Sequence, residues 1–137
     1  MHRPVDCTSG SYLANQECTK ALNGDLDTEW APNVPQDGHI GHGFEVTLAE
    51  NTMIKVIKVF TSSKAGYVQP KRIDVKFDNP SRTESFELDS NEAEIVLNTP
   101  ARVQKIVTVT VQELHDTSPT NPQFGLAEVI FFGEGKC

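Results

Sequence analysis

Ala21-Leu22-Asn23-Gly24-Asp25-Leu26-Asp27-Thr28-Glu29-Trp30 sets a side-chain amide, carboxylates and a hydroxyl around one glycine, and ends on the chain's only tryptophan. Oxygen donors at every second position of a turn are what a hard cation such as calcium takes. A tryptophan directly after them is expected to pack into the core and pin the turn there. The stretch therefore reads as a structural clasp, with function to be sought near it. A bland reading stands beside this one. Asn23-Gly24 is a common turn dipeptide, and Asp25 or Thr28 can simply cap backbone amides.

Outward from the clasp, the periodicity is that of strands. Phe44, Val46 and Leu48 alternate with Glu45 and Thr47. Ile73, Val75 and Phe77 alternate with Asp74 and Lys76, and Val107, Val109 and Val111 with Thr108 and Thr110. Each is a strand with one face on a core. Residues 54–60 change phase at Val56-Ile57, which reads as a bulge or as a strand covered on both faces. Phe86/Leu88 and Ile95/Leu97 suggest two shorter strands, and the apolar run 126–132 suggests a central one. Turn signals fall at Asn33–Gly43, Ala49–Thr52, Asp78–Arg82, Asp89–Asn91, Asn98–Ala101 and Asp116–Gln123. The only helical piece expected is a short turn within Asn15–Leu22. Seven or eight strands at this spacing predict an all-β sandwich, in one domain over 1–137.

Composition fits a globular domain: 37% of residues are hydrophobic and 23% charged. No apolar run nears the roughly 20 residues of a membrane helix, and residues 1–20 hold no signal-peptide h-region. The formal net charge of -7 argues against nucleic acid, heparin-like polymers and anionic membrane lipid as partners, since those need clustered Lys and Arg. Three cysteines, Cys7, Cys18 and Cys137, form no CxxC motif, so a zinc knuckle or thioredoxin-type site is not expected. The ends of a compact domain often meet, which favours a Cys7–Cys137 disulfide; Cys7–Cys18 is the rival pairing. Either points to an extracellular or cell-surface setting.

Three motifs resemble one family. AxNGDxDTxW at 21–30, GFEVTLAE at 43–50 and LAEVIFFG at 126–133 are similar, in order and spacing, to the discoidin or coagulation factor V/VIII C-type domains. That family shares its galactose-binding-like jelly roll with the family 32 carbohydrate-binding modules. The resemblance spans about 14–133 and implies a jelly-roll β-sandwich of about eight antiparallel strands. Asn23 stands where the family usually has Asp, and Gly43-Phe44 replaces the tryptophan of the second motif.

Calcium-binding members hold the ion between the clasp and the start of the last strand. The resemblance thus implies a structural calcium held by the Lys20 carbonyl, the Asn23 side chain, Asp25, Thr28, the Ala127 carbonyl and the Glu128 carboxylate. The residues speak for this independently, because Glu128 is a lone acid inside an apolar strand and needs a partner or a cation. An EF-hand is excluded, because position 12 of such a loop would be Val34.

No GxSxG, HExxH, P-loop or GxGxxG motif occurs, so no enzyme activity is expected. His39-Ile40-Gly41-His42 has a spacing that chelates metals, but on a Gly-rich loop it reads better as solvated. A binding module is left. In sugar-binding relatives the ligand lies on loops at one end of the sandwich, which implies glycan or glycoprotein contacts in that region. Candidates there are His39 and His42, then Lys64, Tyr67 and Gln69 of the Ser62–Pro70 loop, and Phe124 of the last long loop. The alternative is a protein-interaction or adhesion domain with a flat contact face on the sheet and no sugar affinity.

Overall fold

The alternating segments become strands wherever an apolar row can face a second sheet. A computed structural model describes residues 6–25, 27–38, 41–48, 52–62, 64–78, 81–88, 90–103, 106–118, 120 and 122–133. The strands are β1 (Asp6–Ser9), β2 (His42–Thr47), β3 (Thr52–Thr61), β4 (Pro70–Asp78), β5 (Ser81–Glu87), β6 (Glu92–Val103), β7 (Ile106–Leu114) and β8 (Leu126–Phe132). They form a five-stranded sheet ordered β1-β2-β7-β4-β5 and a three-stranded sheet ordered β6-β3-β8. Every pairing is antiparallel. This is the all-β jelly-roll sandwich expected from the sequence.

The core lies between the sheets. Phe44 and Val46 of β2, Ile73, Val75 and Phe77 of β4, and Val107, Val109 and Val111 of β7 face Ile54, Ile57, Val59, Val129 and Phe131. Trp30 has no exposed surface, and its ring meets Phe44 edge-on at 5.2 Å and Phe124 at 6.1 Å. Burying each such aromatic contributes about 1.5–3 kcal/mol. Trp30 is therefore the core anchor that its place after the clasp predicted. Its backbone pairs with Leu126 at the start of β8.

Gly43 is fixed by close approach. A Cβ there would overlap the Val109 carbonyl oxygen on the paired strand β7. The position that the resemblance gives to a tryptophan motif thus holds the one residue that fits this ladder.

Four local expectations are corrected. Asn98–Ala101 lies inside β6 rather than in a turn, because pairing with β3 steps from Ile54↔Ala101 to Val56↔Val96 and the extra β6 residues are taken up as a bulge. That irregularity also accounts for the phase change at Val56-Ile57. The strand β1 went unseen, since DCTS carries no apolar alternation. A one-turn helix, α1 (Val34–Asp37), sits inside the expected turn Asn33–Gly43, with the Asn33 side chain accepting from the Gln36 N–H at 3.2 Å. Finally, Cys7 bonds to Cys18 and not to Cys137. Pairing of β1 with β2 holds Cys7 opposite Val46, and the 3-10 turn Cys18–Ala21 brings its first residue within 6.2 Å, Cα to Cα. Cys137 itself lies outside the described residues.

The ladders decide where function can sit. The pairs Ser9↔Phe44, Phe60↔Glu92, Thr61↔Leu126, Arg72↔Glu87 and Pro70↔Leu114 put the β1–β2, β3–β4, β5–β6 and β7–β8 connections at one end. Backbone hydrogen bonds lace that end together, Ser62 to Gly125, Val68 to Gln123 and His115 to Gln69 among them. The clasp is part of the long β1–β2 connection and lies at this same end.

Candidate functional site

The clasp begins where the 3-10 turn carries the chain against β8. Glu128 is only 4% exposed, and both its carboxylate oxygens accept from the Gly24 N–H at 3.1 Å each. Gly24 has φ +78°, a left-handed conformation that glycine adopts without strain. Burial pushes the Glu128 carboxyl up to about 7, the Gly24 N–H opposes this, and the Asp25 charge adds to the rise.

The turn beside it is crowded with oxygen. The Thr28 hydroxyl lies 3.0 Å from the Lys20 carbonyl, 3.1 Å from the Asp25 carbonyl and 3.2 Å from Asn23 Oδ1. A hydroxyl has one proton to donate, so it satisfies one of these acceptors at a time. Asn23 Nδ2 donates to the same hydroxyl at 2.9 Å. The local capping foreseen for this turn is also present. Asn23 Oδ1 accepts from the Asp25 N–H at 3.0 Å, and Asp25 Oδ1 from the Asp27 N–H at 2.9 Å. Lys20, Asn23, Asp25 and Thr28 are thus brought together through main-chain, amide and hydroxyl oxygens, and Glu128 reaches the same turn through the Gly24 N–H. Ala127 is buried next to Glu128 in β8. Among the described residues no three His, Cys, Asp or Glu side chains gather as a metal cluster; this donor set is instead rich in carbonyl, amide and hydroxyl oxygens.

On the other side of the clasp lies a polar groove of about 400 Å³. Trp30 points into the core, so its neighbour Glu29 faces out into this groove. Glu29 Oε1 accepts from the Ser62 hydroxyl at 2.6 Å, and Oε2 from Gln16 Nε2 at 2.6 Å. Lys64 Nζ is 3.9 Å from Oε2 and 5.4 Å from the centre of the Tyr67 ring, a cation–π distance. The Tyr67 hydroxyl lies 3.3 Å from Gln16 Nε2 and 3.4 Å from its Oε1. Sequence reading missed Gln16, Glu29 and Ser62. The available signal was alternation around a core tryptophan, which sends Glu29 outward.

The remaining candidates do not converge on one spot. His42 lines a separate recess of about 500 Å³ with Ser11 and Asp37, its Nε2 3.2 Å from the Asp37 carbonyl oxygen. His39 lies outside the described residues. Gln69 is half-buried and its carbonyl accepts from the His115 N–H at 2.9 Å. Phe124 is corrected: with no exposed surface and Trp30 against it, it is a core residue and offers no ring face to a ligand.

Two sheets of this order, a clasp closed on the last strand and a tryptophan bridged to it make this the galactose-binding-like jelly roll that the discoidin-type motifs implied. The family 32 CBM of Clostridium perfringens NanJ, solved in complex with galactose, shares the fold with a TM-score of 0.75 at 10% identity, over 96% of this chain and 98% of that one. A CBM32 module of Clostridium perfringens in complex with GalNAc-β-1,3-galactose gives 0.76 at 14% identity, over 97% and 100%. Chitosan-binding module 1 from a Paenibacillus sp. IK-5 chitosanase/glucanase gives 0.72 at 20% identity, over 96% of each chain. No protein-family model and no curated protein matches the sequence.

Proposed function

We propose that this chain is a non-catalytic module that binds carbohydrate through the loop end of its sandwich, with calcium bracing the clasp. One observation carries the carbohydrate reading: side-chain donors and acceptors fixed by one another, Gln16, Glu29, Ser62 and Lys64, line an open groove among the connecting loops. Recognition residues held on loops by a rigid sandwich are how such a fold carries binding. Solved structures of the same fold contain galactose and GalNAc-β-1,3-galactose, which supports a glycan as the ligand class. Glu29 has both oxygens hydrogen-bonded and an ammonium nearby, an arrangement suited to holding a ligand rather than to delivering a proton.

Calcium fits the clasp. The ion takes six to eight oxygen ligands, and the turn offers the Lys20 and Asp25 carbonyls, Asn23 Oδ1 and the Thr28 hydroxyl, next to Gly24, whose N–H is held by the buried Glu128 carboxylate. A cation there would offset the burial cost of charged Glu128 and satisfy acceptors that one hydroxyl proton cannot. The Cys7–Cys18 disulfide supports an extracellular setting. Among the described residues no helix is long and apolar enough to cross a membrane.

A second reading, contact with a protein, is favoured by one feature. The outer face of the three-stranded sheet carries Val96, 66% exposed, in register with Val56, which also pairs with Phe132. A glycan array run with calcium and with chelator separates the two. Binding to a defined set of glycans is the expected result. A blank array under both conditions would overturn the carbohydrate reading and shift weight to the sheet face.

A further inference from the structure

We infer that the groove between the clasp and the β3–β4 connection is the sugar subsite, where Glu29 and Lys64 grip adjacent hydroxyls of a neutral pyranose. The inference rests on the carbohydrate reading above and says which part of the loop end does the reading. It places the ligand on the clasp side, away from the recess that holds His42.

Glu29 is the fixed point. Its side chain is 11% exposed, and Ser62 and Gln16 each occupy one carboxylate oxygen at 2.6 Å. A carboxylate has about four lone-pair sites, so each oxygen keeps one acceptor position. Both are pre-oriented by partners from separate segments, the chain before the clasp and the residue that follows β3. A ligand hydroxyl meeting such an acceptor does not have to freeze it first, which lowers the entropic cost of binding.

Lys64 supplies the complementary half. Its ammonium stands 3.9 Å from Glu29 Oε2, is 56% exposed and lies over the Tyr67 ring. An ammonium has three donors and no acceptor. An anchored acceptor and a cationic donor side by side match two hydroxyls on neighbouring ring carbons, one donating to Glu29 and one accepting from Lys64. The Lys64 N–H also donates to the Ser62 hydroxyl at 3.2 Å, so the oxygen that orients Glu29 orients the Lys64 backbone too.

The lining also sets the charge of the ligand. Asp27 and Glu29 line the groove together with Lys20 and Lys64, so no cationic excess exists to draw a carboxylated sugar, and two carboxylates repel one. Among the described residues no aromatic side chain lines the groove, so hydroxyl geometry, rather than stacking on a ring, carries the recognition.

The test is titration of methyl β-galactopyranoside, methyl β-glucopyranoside and N-acetylneuraminic acid into the calcium-loaded chain, followed by NMR. Variants are Glu29→Gln, Lys64→Met, His42→Ala and, as a charge control, Lys76→Met on β4. At least one neutral glycoside is expected to bind, with affinity falling about tenfold or more in Glu29→Gln and in Lys64→Met, unchanged in Lys76→Met, and with no binding of N-acetylneuraminic acid. Lys64 is exposed, so its variant tests the subsite even if Glu29→Gln loosens the fold, which its melting temperature reveals. Binding that survives Lys64→Met and is lost in His42→Ala overturns this assignment and leaves the carbohydrate reading standing. Preference for the acidic sugar, or no binding of either neutral glycoside while an array gives hits, also overturns it alone. A blank array removes both.

Discussion

The main-chain N–H of Gly24 donates to both carboxylate oxygens of Glu128, at 3.1 Å each, and so ties together positions 104 residues apart. The bond closes the clasp on the first residues of the last strand. Trp30, a few residues on, is locked to the same strand through Leu126. The loop end is thus fixed at two points, which is what lets short connections present side chains in defined positions.

If calcium occupies the clasp, millimolar calcium should raise the melting temperature by several degrees. A ligand at a hundredfold excess over its Kd stabilises by about 2.7 kcal/mol. Glu128→Gln should abolish that rise. Scanning fluorimetry in calcium and in chelator reads it directly, and identical melting of the unsubstituted chain in both would refute the site.

Without calcium, the clasp should make stability fall as pH rises. The native Glu128 carboxyl sits at about 7 against a usual 4.5. Between those values the folded chain keeps a proton that the unfolded chain has lost. The stabilisation is therefore fully present below about pH 4.5 and is lost as pH rises through about 7. Chelated protein should melt lower at pH 8 than at pH 6 through this group, and Glu128→Gln should remove that part of the slope. Since calcium needs the ionised carboxylate, its stabilising shift should be larger at pH 8 than at pH 6.

Phe124→Ala is expected to cost about 3–5 kcal/mol, the usual range for emptying a buried aromatic site. It removes the edge-on partner of Trp30. Urea unfolding measures this, and near-normal stability would show that the residue is not core.

Peptide mapping without reductant should recover Cys7 linked to Cys18 and leave Cys137 open to alkylation. Replacing both linked cysteines by serine should lower stability by about 2–3 kcal/mol in the chain-entropy picture, given a separation of 11 residues. A linked Cys7–Cys137 peptide would contradict the pairing.

The sandwich was legible because its central strands alternate strictly: Ile73, Val75 and Phe77 and Val107, Val109 and Val111 each put one row on the core. Trp30 was legible as a core anchor because a lone tryptophan closing a polar turn has few other uses. What stayed hidden was set by partners distant in sequence. Asp6–Ser9 becomes a strand only because β2 offers a free edge, and that pairing, unseen in sequence, is also what brings Cys7 to Cys18. The bulge across Asn98–Ala101 looks like a turn because turns and bulges use the same residues. Among the binding candidates, Lys64 lines the groove that Glu29 anchors and Tyr67 stands behind it against Gln16 and Lys64, while Phe124 was misplaced because an aromatic on a long connection gives no local sign of being buried.

The central claim is that the loop end of this jelly roll binds sugar. Its most direct test is titration of the ¹⁵N-labelled, calcium-loaded chain with methyl β-galactopyranoside and methyl β-glucopyranoside, read residue by residue. The account expects saturable shifts at Gln16, Glu29, Ser62 and Lys64, with Val56 and Val96 on the outer sheet face unmoved. Shifts confined to that sheet face, or none with either glycoside together with a blank glycan array, would contradict it.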